Sequence, residues 1–256
     1  MQEKKTRHSV RLLTGIVFPL VILLVWYLVT ASGNTSEMLL PRPVSIWNAF
    51  VKYISDGTLT KDIGVSLLRV VRGYLSGAIL GILFGLLMGI FTPVNHFFAP
   101  TLNALRQIAP LAWIPLLMLW FGIGDLSKEV LIAMGTFYQT MLNTISGLRG
   151  IPKGYIEFAK NYKIRKFDIL RKILIPGAAP SILVGLRLGA SSAWMAILAA
   201  EMIAATSGVG YRISSARNLM ETDVVILYMI IIGIIGGVMD WVIRKLAARL
   251  VNWQER

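Results

Sequence analysis

Few residues in this sequence are equipped for covalent chemistry. The 256 residues contain no cysteine, which excludes a thiol nucleophile, a disulfide or a thiolate metal site among them. The two histidines, His8 and His96, are far apart, and a metal site needs more ligands than that. No paired acids or nucleophile–base set stand out. No G-x-x-x-x-G-K-[ST] phosphate loop occurs either. We therefore expect no catalytic residue, no metal and no nucleotide bound by this chain itself. What the sequence does hold is charge in unusual places. "YIEFAKNYKIRKFDILRKILIPGAAPSI", from Tyr155 to Ile182, carries Lys160, Lys163, Arg165, Lys166, Arg171 and Lys172, with Lys153 just before it. Arg187, Glu201 and Asp240 are embedded in apolar runs, where an ionisable group needs a partner or a function.

The background to these charges is apolar. Of the residues, 55% are hydrophobic and 15% charged, and the formal net charge is +13. Soluble domains carry about 25% charged residues, so the composition points to a polytopic membrane protein. Basic charge of this size also suits nucleic-acid binding. Here, however, the cations lie between apolar runs, which is the pattern of membrane topology, and no nucleic-acid partner is expected.

A spanning helix needs about 20 mostly apolar residues. Six candidates meet this: near 12–31, 68–91, 98–121 (interrupted by Pro100, Pro110 and Pro115), 128–148, 180–206 and 223–247. The first reads as an uncleaved anchor, because its apolar run is long for a secretory signal and further spans follow. With both termini placed inside, 17 of the Lys and Arg residues lie inside and eight outside, counting Arg69 and Arg72 with the outer set. The positive-inside rule favours that orientation. It leaves Arg69 and Arg72 at the outer end of span two, either snorkelling to headgroups or on an interfacial helix. The basic stretch at 149–172 then faces the cytoplasm.

Within the spans, Gly73, Gly77, Gly81, Gly85 and Gly89 recur every four residues. Such a stripe lets another helix approach closely, either within the chain or from a second subunit. Gly185, Gly189, Ala190, Ser191, Ser192 and Ala193 give span five a similar smooth surface. Pro110 and Pro115 free backbone carbonyls, which is tolerated where protein or a water-filled cavity covers them. "QIAPLAWIPLLMLWFGIG", including Trp113, is accordingly a candidate pathway lining, with a packed kink as the alternative. Glu201 has the same two readings, a pathway group or a hydrogen bond to a neighbouring helix. Arg187 can snorkel, and Asp240 stands four residues before Arg244, at ion-pair spacing.

In the basic stretch, Tyr155, Phe158, Ala159 and Tyr162 fall at i, i+3, i+4 and i+7, one face of a short helix. Phe167, Ile169, Leu170, Ile173 and Leu174 suggest a second, which Pro176 and Gly177 stop or kink. Two amphipathic helices of this kind suit either docking into a groove of another protein or resting on anionic headgroups.

The stretch resembles the EAA loop of permease subunits of bacterial ATP-binding-cassette (ABC) importers. That pattern is E-A-A, three residues, G, nine residues, I-x-L-P. Here Glu157-Phe158-Ala159 occupy E-A-A, Lys163 occupies G, and Ile173, Ile175 and Pro176 occupy I, L and P. The spacing matches throughout, while Phe158, Lys163 and Ile175 depart from the preferred residues. "LLPRPVSIWNAF", "PLLMLWFGIGDLSKEVLIAMGTF" and "GVGYRISSARNLMETDVV" are similar to the sulfonate, taurine and nitrate branch of the same permeases.

The resemblance implies an all-α, six-span type I importer permease fold in the bacterial inner membrane. It divides the chain into an anchor and external loop, 1–61, and a permease core, 62–256, with the EAA loop at 149–180. It also implies two separate ATPase subunits that bind the ATP, an extracytoplasmic substrate-binding protein, and a second permease copy forming a homodimer. Glu157, Phe158, Ala159, Tyr162, Lys163 and Pro176 are then the ATPase-docking positions. Where the family prefers glycine, Lys163 would carry strain if the turn is left-handed. The competing reading is an ATP-independent secondary transporter or channel subunit. Its usual marks are inverted repeats and midplane ionisable groups; no clear repeat is visible, and Glu201 alone is a candidate.

Overall fold

The computed structural model describes the backbone of residues 2–31 and 36–250, and side chains from residue 17 onward within those ranges except at 160, 248 and 250. The charges at Lys4, Lys5, Arg7, Arg11 and Arg256 lie outside the described side chains. Every regular element described is helical.

The chain begins with α1 (Gln2–Ala31) and α2 (Pro43–Ser55), the latter started by Pro43, whose missing N–H costs nothing in a first turn. α3 (Thr58–Ile90) follows a left-handed Gly57 (φ 74°). Asp56 Oδ1 accepts the Thr58 N–H at 2.8 Å, and that bond holds the Asp56 carboxyl below its ordinary range. α6 (Asp125–Arg149) is the central helix, with α3 on one side and α9 (Ile175–Ala204) on the other. α10 (Val209–Asn218) and α11 (Thr222–Leu250) complete the bundle, and α2 caps α11 and α3. Tyr228, Val209, Ile46 and Leu59 form the core at that end.

The glycine stripe shows why α3 and α6 pack so closely. A Cβ at Gly73 would sit 2.7 Å from the Glu129 carbonyl, at Gly81 2.8 Å from that of Phe137, and at Gly85 2.6 Å from the Thr144 Cβ. Gly77 meets Ala133 and Thr136, and Gly89 meets Leu148. The stripe therefore faces a helix of the same chain. A matching ladder on α6, Thr136, Thr140 and Thr144, is fully buried. It also receives α9, where Gly185 and Gly189 approach Thr140 and Thr136. These threonines dilute the hydropathy of α6, yet they face other helices and need no lipid-compatible surface.

The third apolar run is not one span. It divides into α4 (Thr92–Arg106) and α5 (Pro110–Phe121), bent by 99°. Pro110 holds Ala109 extended (φ −56°, ψ 135°), as expected for a residue before proline. Pro100 and Pro115 sit inside helices without breaking them. The second loop helix also differs from its expected end. α8 (Lys166–Ile169) runs through a π-turn, 170–174, directly into α9, so Lys166–Ala204 is one continuous helix. The Ile175 N–H bonds Leu170 O, five residues back. This wider turn relieves the clash that Pro176 would make in a regular helix.

By length and composition, three helices among the described residues could cross a membrane: Thr58–Ile90, Lys166–Ala204 and Thr222–Ala247. The α4–α5 pair is a fourth if counted as one. α1 and α6 lie where the sequence places spans one and four.

Candidate functional site

The loop between α6 and α9 contains α7 (Lys153–Asn161). Its two aromatic residues and the one that directly follows it point outward: Tyr155, Phe158 and Tyr162 are 64%, 61% and 69% exposed. The Phe158 and Tyr162 rings lie 4.5 Å apart, centroid to centroid. Glu157 is exposed beside them. Ala159 is not on this surface. It is fully buried, and Ile156 beside it lines an apolar cleft with Phe91, Leu148 and Leu170. At 100° per residue, 155, 158 and 162 fall within about 60° of one another, and 156 and 159 lie on the flank. The flank seats the helix on its own subunit and leaves the aromatic face free.

The turn after α7 is left-handed at Lys163, with φ 52°. The Ile164 N–H bonds Ala159 O at 3.0 Å and closes the helix. Lysine thus occupies the conformation that glycine adopts at no cost, about 1–2 kcal/mol above a relaxed turn. Pro176, thirteen residues on, is half-buried and lines a cleft of about 550 Å³ with Tyr155, Ile151, Lys172 and Ser181. The basic residues Lys163, Arg165, Lys166, Arg171 and Lys172 are exposed around the loop. Among the described residues, Lys172 alone of these has an acidic partner at ion-pair distance, Asp168 at 3.3 Å.

At the other end of α9 is a buried ion network that the sequence did not reveal. Glu201 is 1% exposed. It accepts from Ser66 Oγ at 2.8 Å, Arg69 Nη1 at 2.7 Å and the Gly210 N–H at 3.0 Å. Arg69 also donates to Asp125 Oδ1 and to the Ser207 carbonyl, both at 2.8 Å. Asp62 accepts from Arg212 Nε, Tyr228 Oη and the Gly208 N–H. Gly208 is itself left-handed (φ 113°), and a Cβ there would run into the Glu201 carboxylate. Arg69 therefore does not snorkel; it is 5% exposed. Arg72 pairs with Glu129 at 3.3 Å. Arg187, expected to snorkel, instead bonds Asp240 at 2.6 Å, and Arg244 bonds the same carboxylate at 2.6 Å.

Of the pathway candidates, Pro110 and Trp113 come together in a cleft of about 180 Å³ with Arg106, Tyr138 and Ser192. Pro115 and Glu201 do not line it. No group of three or more His, Cys, Asp or Glu suited to a metal occurs among the described residues.

Comparison with known proteins converges on one family. Residues 77–252 match the family described as binding-protein-dependent transport system inner membrane component. The chain is 34% identical over 254 residues to SsuC of Bacillus subtilis, named for aliphatic sulfonates transport, covering 99% of this chain and 92% of that protein. It is 32% identical to the taurine transport system permease protein TauC of Escherichia coli (91% and 86% covered). It is 31% identical to the nitrate import permease protein NrtB of Leptolyngbya laminosa (99% and 91% covered). Its fold is similar to that of a chain in an inward-facing MetNI methionine ABC transporter, with TM-score 0.67 at 17% identity, covering 77% of this chain and 96% of that one. A second similar fold comes from an amino acid ABC transporter, with TM-score 0.62 at 16% identity, covering 80% and 96%. An apolar all-helical bundle, an EAA-spaced loop between α6 and α9 and these matches agree: the chain belongs to the inner-membrane permease family of binding-protein-dependent ABC importers.

Proposed function

We propose that two copies of this chain form the translocation pathway of an importer for a small solute of the sulfonate, taurine or nitrate kind. In this reading each copy spans the membrane six times, with both termini and α7 on the cytoplasmic side. A substrate-binding protein delivers the solute from outside, and α7 sits in a groove of an ATPase subunit. The exposed aromatic face of α7 carries the reading. Three largely exposed aromatic side chains stand on α7 and the turn that ends it, while the helix's other flank is seated. The inward excess of Lys and Arg supports the orientation. The solute class rests on the relatives named for sulfonate, taurine and nitrate transport. Coupling follows if the two nucleotide states of the ATPase hold α7 differently, because a partner shifts a conformational equilibrium only through differential binding. The continuous Lys166–Ala204 helix gives the loop a stiff connection to the bundle.

The absence of cysteine makes the test direct, since Phe158→Cys supplies the sole thiol. In vesicles holding permease, ATPase and binding protein, this variant is expected to cross-link to the ATPase. It should label with a membrane-impermeant maleimide only from the cytoplasmic side. ATP-dependent uptake of taurine, methanesulfonate or nitrate should be lost when the ATPase is omitted. Labelling from the outside, or uptake without the ATPase, would overturn the proposal.

A further inference from the structure

We propose that a small cleft between α9 and α11 is an anion subsite in the pathway, with Arg187, Ser191 and Trp194 as its donors. This rests on the importer reading and states where, and by what chemistry, the pore holds its cargo. The cleft measures about 200 Å³ and is lined by Arg187, Ser191, Trp194, Gly236, Met239 and Asp240 among others.

Charge is the first observation. Arg187 donates Nε and Nη2 to the two Asp240 oxygens, at 2.6 and 3.3 Å, and Arg244 Nη2 donates to Oδ2 at 2.6 Å. Two guanidiniums share one carboxylate, so the cluster keeps one net positive charge. Arg187 has five N–H donors, and Asp240 takes two of them. Location is the second. Arg187 lies seven residues into span five (180–206) and Asp240 seven residues before the end of span six (223–247), about 10 Å along each helix. Charged groups at such depth face protein or water rather than lipid. Yet the side chains of Arg187 and Arg244 are 45% and 59% exposed, so their own subunit does not cover them. In this proposal that open side faces the pathway.

The third observation is independent of charge. Trp194 is 5% exposed, and its buried Nε1 has no hydrogen-bond partner. Buried donors almost always have one. Trp194 follows Ser191 by three residues and Arg187 by seven, on one helix face. Opposite stands Gly236, where even a Cβ would lie 3.3 Å from that nitrogen; α11 packs closely over the indole here, and the N–H becomes available to an anion when the two helices part. The remaining guanidinium N–H groups and the unpaired indole N–H form a donor set, and the Ser191 hydroxyl joins it by turning from its long 3.4 Å bond to the Arg187 carbonyl. The one acidic group present is already neutralised. The ligand that fits is a small monovalent oxyanion, planar or tetrahedral, bound by the fork as carboxylates and phosphates are. Met239 and the methylene stem of Arg187 suit a short apolar tail.

The test uses the full chain in nanodiscs at constant ionic strength. Nitrate and methanesulfonate are titrated by calorimetry, with uncharged dimethyl sulfone as the shape control. Both anions are expected to bind saturably and the sulfone not to bind. Trp194→Phe keeps the ring and removes the N–H. It should weaken anion binding roughly tenfold, the loss of one hydrogen bond to a charged acceptor. Arg187→Lys keeps the charge opposite Asp240 but loses the fork and should weaken binding similarly, which guards against a folding defect in either variant alone. Absence of saturable anion binding, or wild-type affinity in both variants, overturns the subsite. Binding that persists in a chain unable to import supports the subsite and counts against the importer reading. Import without anion binding in the nanodisc overturns the subsite alone.

Discussion

Arg69 and Glu201, 132 positions apart, meet in the interior with Nη1 2.7 Å from Oε1. The contact joins α3 to the C-terminal part of α9, and Ser66 and the Gly210 N–H complete the carboxylate's shell. Each partner is buried, so the pair must be judged as a unit. Breaking a buried pair leaves one uncompensated charge and costs about 3–5 kcal/mol, whereas removing both charges in favour of apolar residues can be neutral. Arg69→Met is expected to lower stability by that amount, and Arg69→Met with Glu201→Gln to recover most of it, because the neutral amide oxygen still accepts from Ser66 and the Gly210 N–H. Thermal unfolding in detergent measures both. A single variant as stable as the parent, or a double variant no better than the single, would show that the contact does not hold the bundle.

The glycine stripe makes a second, position-specific prediction. Gly81 has no room on α6, so Gly81→Leu is expected to destabilise the bundle by about 1–3 kcal/mol through overpacking. Gly64, on the same helix, is exposed and would meet nothing within 4 Å. There Gly64→Ala is expected to add up to about 1 kcal/mol through helix propensity. The opposite signs are the check: if both substitutions destabilise equally, α3 does not pack on α6 through this face.

These two cases show how far the sequence could be read. A period of four in glycine is visible in the chain and points to a close helix contact, though not to its partner. That partner is α6, whose threonines at 136, 140 and 144 carry the same period. The Arg69–Glu201 contact has no such signature, because neither local spacing nor hydropathy links residues so distant. The same holds for Arg187 with Asp240, which are 53 positions apart. Pro110 announced a break but not its 99° angle. Helix α10 is too short and polar to register as an apolar run. The π-turn was hidden because proline in a regular helix argues for a stop, and a one-residue widening avoids it.

Lys163 offers a third prediction, because its departure from the family's glycine can be reversed. At φ 52° a lysine carries about 1–2 kcal/mol of strain that glycine lacks. Glycine gives part of that back through its freer unfolded chain. Lys163→Gly is therefore expected to stabilise the loop by no more than about 1 kcal/mol. Hydrogen exchange of the α7 amides should slow accordingly. A β-branched replacement, Lys163→Val, is expected to accelerate it. Faster exchange in the glycine variant would mean that the turn is held by the lysine side chain rather than in spite of it.

Helix α7 and the turn after it, proposed above as the ATPase-docking element, separate two kinds of defect that a transport assay alone would merge. Phe158 and Tyr162 are exposed and stacked on each other, so removing them takes little from the permease itself. Phe158→Ala with Tyr162→Ala, and separately Glu157→Lys, should leave unfolding of the isolated permease within about 0.5 kcal/mol of the parent, as for most surface changes. Both should lower co-purification of the ATPase. An aromatic hot spot at the centre of an interface contributes about 2 kcal/mol or more, about thirtyfold in affinity, so the double alanine variant should weaken association by at least about thirtyfold if one of the two rings is such an anchor and by nearly a thousandfold if both are. Ala159 is fully buried and behaves differently. Ala159→Asp places a charge where the helix is seated, and it should lower permease stability as well as ATPase association. Comparing permease unfolding with ATPase co-purification distinguishes the two classes. Full ATPase association in the Phe158, Tyr162 double variant would remove the aromatic face from the interface. A normally stable Ala159→Asp permease would show that α7 is not seated by that flank.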